Sequence, residues 1–125
     1  MGIDDLLGES RAGLARLTPE AAQGAVRAGA VIVDIRPLDQ RRAQGCVPGA
    51  VVVGRNVLEW RADATSGHAD ERLVGRDLIV MCAEGYSSSL AAASLQEIGL
   101  ASATDMIGGF EAWRDAGLPV EPCPD

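Results

Sequence analysis

The sequence predicts a single α/β domain built on a largely parallel sheet, and three observations carry that prediction. Short apolar runs rich in β-branched residues recur at Ala30-Val31-Ile32-Val33, Val51-Val52-Val53 and Leu78-Ile79-Val80-Met81. Stretches with helical spacing, opened by capping residues or closed by glycine, lie between them. The chain has 125 residues, 47% of them hydrophobic, which suits one domain with its own core. Buried strands that alternate with helices favour parallel pairing, because each helix carries the chain back to the same end of the sheet.

In chain order, a short helix is expected over residues 3–11 and an extended segment over 15–17. Thr18-Pro19-Glu20-Ala21 offers an N-cap followed by proline at the first helical position, so a helix should run to about Ala28, with Gly29 closing it. Residues 30–36 form the clearest strand, ended by Pro37. Asp34 interrupts that apolar run, which a buried salt bridge or a hydrogen bond to nearby backbone would explain. Residues 38–44 suit a short polar helix, 45–50 a turn and 51–53 a strand. Residues 54–76 are irregular, with one helical turn at Val57-Leu58-Glu59-Trp60. A buried strand is expected over 78–81, then a helix over 88–98 whose apolar face is Ala91, Leu95 and Ile98, with Gly99 as its stop. A last strand over 103–107, a Gly108-Gly109 turn, a helix over 110–116 and an extended tail over 119–125 complete the reading.

Composition excludes several function classes. A net charge of −7 and no basic run longer than Arg41-Arg42 argue against nucleic acid and anionic membranes as partners. No apolar run approaches the ~20 residues of a membrane span, and no basic-then-apolar leader opens the chain. A reducing cytoplasm is the expected location. Cys46, Cys82 and Cys123 show no C-x-x-C spacing and cannot all pair internally, so neither a disulfide framework nor a structural zinc site is expected. His68, the only histidine, reads as a solvated loop residue.

Cys82 stands apart. It ends a buried strand, and the loop Ala83-Glu84-Gly85-Tyr86-Ser87 leads into a helix. Free backbone N–H groups and a helix dipole favour an anion at such a place, and Gly85 lets the loop curl into a nest. A thiolate there is stabilised, and the thiolate is the nucleophilic form. Ligands of parallel α/β sheets also bind beyond the C-terminal strand ends. A buried structural cysteine is the plainer alternative.

Four pieces in order resemble the rhodanese family of sulfurtransferases. They are Val33-Asp34-Ile35-Arg36-Pro37, Gly45-Cys46-Val47-Pro48-Gly49-Ala50, Cys82 to Ser88, and Gly108-Gly109-Phe110-Glu111-Ala112-Trp113 with Gly117-Leu118-Pro119-Val120. The resemblance implies a three-layer domain with a five-stranded, mainly parallel sheet between helices. It also implies an N-terminal helical extension (1–13), the rhodanese-like domain (14–120) and a tail (121–125). Cys82 would be catalytic, taking a sulfane sulfur from thiosulfate or a persulfide and holding it as a persulfide. Ala83, Glu84, Gly85, Tyr86, Ser87 and Ser88 would form the substrate-binding loop, with Asp34 and Arg36 as structural support. No metal or organic cofactor is implied. The partners would be a small sulfur donor and a thiol or cyanide-like acceptor, with a protein acceptor as a further option.

Two departures bear on function. Cys46 stands where the family often has histidine, and it is read as a core substitute, with a second redox thiol as the alternative. Ala83 and Ser87 stand where many members carry Arg or Lys, so the loop's only charge is that of Glu84. A phosphatase with the related cysteine loop would need Arg after five intervening residues, where this chain has Ser88. The remaining alternative is a non-catalytic rhodanese-like binding or sulfur-sensing module.

Overall fold

Residues 1–124 of the chain are described by a computed structural model. The elements follow in the order α1 (Ile3–Ala12), α2 (Pro19–Arg27), β1 (Val31–Asp34), α3 (Leu38–Gln44), β2 (Val51–Val52), a 3-10 turn (Arg55–Val57), α4 (Leu58–Ala62), β3 (Leu78–Met81), α5 (Ser87–Glu97), β4 (Thr104–Asp105) and α6 (Gly109–Asp115). All strand pairs are parallel, in the order β2-β1-β3-β4, with Asp34 beside Met81 and Val80 beside Asp105.

The sheet is buried on both faces, and the two-residue period of a strand decides which side chain goes where. Leu78, Val80 and then Cys82 face the layer that holds Leu58, Ala91, Ala92 and Leu95 of α4 and α5. Ile79 and Met81 face the other layer, with Ala22 of α2 and Phe110 and Trp113 of α6. Helix α1 packs on α5. The three-layer α/β architecture expected from the sequence is therefore present.

Four expectations need correction. The sheet has four strands rather than five. The extended segment before α2 adds a single parallel bridge, Leu17 to Met106, with Leu17 N–H donating to Asp105 at 3.1 Å and Ile107 N–H donating to Leu17 at 2.8 Å. Thr18 caps α2 one residue later through its hydroxyl on Ala21 N–H, and Pro19 has no N–H to extend the ladder. Ile98 is not on the buried face of α5: it lies at the C-cap and is exposed, and the inward face is Ser88, Ala91, Ala92 and Leu95.

The cysteines supply the other two corrections. Cys46 and Cys123 form a disulfide with Cα atoms 5.1 Å apart. The tail returns antiparallel to Cys46, and Cys46 and Glu121 exchange backbone hydrogen bonds of 2.8 and 2.9 Å. A pairing made by backbone that lacks a hydrophobic pattern left no trace in the cysteine spacing. Cys46 is buried, as a core substitute would be, but it is not a lone thiol. His68 is exposed.

Candidate active site

Cys82 follows the last residue of β3, between the C-terminal ends of β1 and β4. Its side chain is buried, and it is the free cysteine of the chain. Gly85 N–H donates to its Sγ at 3.2 Å and Ser88 N–H at 3.4 Å. Burial pushes the thiol pKa up. The hydroxyls of Ser88 and Ser87 and the N–H groups of Ser88 and Gly85 pull it down and prevail, so it lies below the ordinary thiol value. Of these donors the N–H groups carry the geometry, because the single Ser88 hydroxyl proton is directed to Asp105 Oδ2 at 2.7 Å.

The loop keeps its curl through close backbone packing. Gly85 has φ +87°, and a Cβ there would stand 2.7 Å from Gly108 N. A Cβ on Gly109 would overlap the Cys82 carbonyl oxygen. That approach lets Phe110 N–H donate to Cys82 O at 2.8 Å and Glu111 N–H to Ala83 O at 3.0 Å. The double glycine at the start of α6 is thus the floor of the cysteine loop.

The other residues singled out in the sequence divide by exposure. Glu84, Tyr86 and Ser87 are exposed, Ala83 is half-buried and Ser88 is buried. Beside the loop lies an open pocket of about 250 Å³ bordered by Arg36, Pro37, Gln40, Cys82, Glu84 and Tyr86. A more apolar hollow between α2, Pro48 and Trp113 lies at the opposite, N-terminal ends of the strands. It contains no nucleophile, and the pocket at Cys82 is the one that matters for chemistry. Asp34 and Arg36 form a buried bidentate pair at 2.8 and 3.0 Å, so both explanations offered for Asp34 apply, since Arg36 N–H also donates to it at 3.0 Å. The Arg36 guanidinium further reaches Gly45 O and lies 4.0 Å from the Phe110 ring centroid. Its charge is spent on the scaffold.

Sequence reasoning missed three residues here. Asp105, fully buried, accepts from Arg16 Nε at 2.8 Å and from the Ser88 and Ser89 hydroxyls at 2.7 and 2.8 Å. Arg16 and Arg11 both donate to the Gly85 carbonyl, at 3.0 and 2.7 Å. The available signal was Asp105 itself, a carboxylate inside a short apolar strand like Asp34. Nothing in the spacing of Arg11 and Arg16 connects them to a loop some seventy residues away.

A family model, the rhodanese-like domain, matches residues 18–116. The chain belongs to the rhodanese-like family. It is 38% identical over 100 residues to the thiosulfate sulfurtransferase GlpE of Stutzerimonas stutzeri, covering 79% of this chain and 84% of that protein. It is 33% identical to the GlpE of Actinobacillus succinogenes, over 84% of this chain and 88% of that one. A solved structure from Rhodopseudomonas palustris, of a protein of unknown function described as a possible tyrosine phosphatase, superposes with a TM-score of 0.88 at 35% identity. It covers 97% of this chain and 95% of its own. A thiosulfate sulfurtransferase from Pseudomonas aeruginosa superposes with a TM-score of 0.73 at 26% identity, over 93% of this chain and 21% of that chain. These similarities support the sulfurtransferase activity expected from the sequence. Among the described residues no helix is long and apolar enough to cross a membrane, and no group of three or more His, Cys, Asp or Glu side chains is placed to hold a metal ion.

Proposed function

We propose that this rhodanese-like sulfurtransferase works through Cys82, with the loop from Ala83 to Ser88 as its substrate cradle and Asp34 with Arg36 as its support. The Cys82 thiolate attacks the outer sulfur of a sulfane donor. The donor's S–S bond breaks, its electron pair leaves with sulfite or a thiolate, and the outer sulfur stays on Cys82 as a persulfide. An acceptor thiolate or cyanide then attacks that sulfur and restores the Cys82 thiolate. The N–H groups of Gly85 and Ser88, aimed at Sγ, carry the thiolate, and the N–H groups of the loop from Ala83 to Ser88 stabilise the outer sulfur of the persulfide.

The observation that carries this reading is the placement of a free, buried cysteine with two backbone donors at 3.2 and 3.4 Å on its sulfur. Thiosulfate is the donor named in the relatives, and it comes to this chain as a proposal together with persulfide donors. A panel of both donors against cyanide and thiol acceptors tests it. Wild type should turn over with at least one pair and Cys82→Ser with none. Failure of every pair would favour a binding or sulfur-sensing module.

A phosphatase reading finds no support at the loop. Phosphoryl transfer in a cysteine loop needs a guanidinium on the phosphate oxygens, and the corresponding residue is Ser88, buried and bonded to Asp105. Aryl phosphate hydrolysis should be absent. We also propose a cytoplasmic site of action, and Cys82 chemistry does not depend on the Cys46–Cys123 bridge, which lies outside the cysteine loop.

A further inference from the structure

The loop that carries Cys82 has no positive charge of its own, yet two arginines from the segment ahead of the family match hold it from behind. Arg11 Nη2 donates to Gly85 O at 2.7 Å and Arg16 Nη2 to the same oxygen at 3.0 Å. The contacts close a ring. Arg11 Nε donates to the Ser89 hydroxyl at 3.0 Å, Ser89 donates to Asp105 at 2.8 Å, and Asp105 pairs with Arg16 at 2.8 Å. Arg11 also lies over the Tyr86 ring, 5.5 Å from its centroid. Gly85 is the residue whose N–H donates to Cys82 Sγ.

We infer that Arg11 and Arg16 are positioning residues for sulfur transfer: by clamping the Gly85 carbonyl they hold the Gly85 N–H on Cys82 Sγ and place positive charge behind the anionic sulfur. The inference rests on the proposed role of Cys82. Gly85 at φ +87° has the conformational freedom of glycine and no side chain to fix it. Charge-assisted bonds to its carbonyl restrict that freedom, because the residue cannot swing its N–H off the sulfur without breaking them. The two arginines divide the work. Arg16 is matched by the buried Asp105 carboxylate and supplies geometry. Arg11 is bound to a hydroxyl, a carbonyl and a ring face, so its charge is left to act on the loop. Both guanidiniums lie outside residues 18–116, so the segment before α2 completes the active loop rather than merely preceding it.

The test uses the full chain with its tail disulfide intact, so that Cys82 is the thiol available to a reagent. After cyanide treatment to strip bound sulfur, iodoacetamide alkylation of Cys82 is followed against pH in wild type, Arg11→Gln, Arg11→Lys and Arg16→Gln, with unfolding curves for each. The clamp predicts that Arg11→Gln moves the alkylation midpoint up by about half a pH unit or more, that Arg11→Lys restores part of the shift, and that Arg16→Gln also raises the midpoint through the lost bond to Gly85 O. If Arg16→Gln does not fold, the Arg11 pair decides. Alkylation midpoints that stay at the wild-type value, with unfolding alone affected, would overturn the inference and leave the arginines as fasteners of the N-terminal segment. Alkylation needs no sulfur donor, so absent turnover in wild type would count against the proposed function without touching this result.

Discussion

The Ser88 hydroxyl donates to the buried Asp105 carboxylate at 2.7 Å while the N–H of the same serine points at Cys82 Sγ from 3.4 Å. One residue thus ties the start of α5 to β4 and to the reactive sulfur. Asp105→Asn should strip the Arg16 ion pair and loosen the first turn of α5. Breaking a fully buried pair costs about 3–5 kcal/mol, and the 17% exposure of the Arg16 side chain reduces the expected loss to about 2–3 kcal/mol. Urea unfolding measures it, and a loss within experimental error would show that Asp105 does not organise this corner.

Cys82 should make stability depend on pH in a definite direction. Burial of its thiol is outweighed by hydrogen bonds from Ser88, Ser87 and Gly85, so its native pKa is lowered from the ordinary thiol value. The stabilisation from the native thiolate is therefore complete above the unfolded pKa and is lost as pH falls through the native one. The difference in unfolding free energy between wild type and Cys82→Ser should accordingly move toward favouring wild type as pH rises through that window. Sulfur transfer should fall on the acid side of the same window. A difference that is flat with pH would mean that the N–H groups of Gly85 and Ser88 do not favour the anion.

The tail disulfide predicts one reactive thiol in the oxidised, denatured chain and three after reduction. Cys46→Ser or Cys123→Ser should lower stability by about 2–4 kcal/mol, since the bridge closes a loop with a sequence separation of 77 residues. Most activity should remain. Equal loss of activity in Cys46→Ser at unchanged stability would indicate a two-cysteine mechanism instead.

Charge at the pocket mouth should select among donors. Glu84 is exposed and borders the pocket, and Arg36 is neutralised by Asp34. At ~4–6 Å a like charge opposes a doubly charged donor by about 1–4 kcal/mol, depending on the effective dielectric. Glu84→Gln and Ser87→Arg should raise kcat/KM for thiosulfate more than for a less charged persulfide, and salt should shrink the gain. Donor preference unchanged in both variants would remove loop charge as a determinant.

What could be read from the sequence follows from how local each feature is. β1 and β3 announce themselves because both faces are buried, so every position in Val31–Asp34 and Leu78–Met81 except Asp34 is apolar. Thr18 and Pro19 mark the start of α2 by capping chemistry that acts within three residues. The cysteine loop is legible because its donors, Gly85 and Ser88, lie within six residues of the sulfur they serve. Features made by distant residues were not legible. Arg11 meets Gly85 across 74 residues and Cys46 meets Cys123 across 77, and only tertiary packing brings either pair together. Ile98 lies off the buried face for a related reason. The inward face of α5 begins with Ser88, a polar residue made tolerable by the Asp105 carboxylate on another strand.

The most direct test of a Cys82 sulfur carrier is mass spectrometry of the intact chain and its Cys82 peptide after incubation with thiosulfate or a persulfide donor. Cys82 should gain one sulfur atom and lose it on addition of cyanide, and Cys82→Ser should gain none. Sulfur recovered on Cys46 or Cys123, or none on Cys82 with any donor, would contradict it.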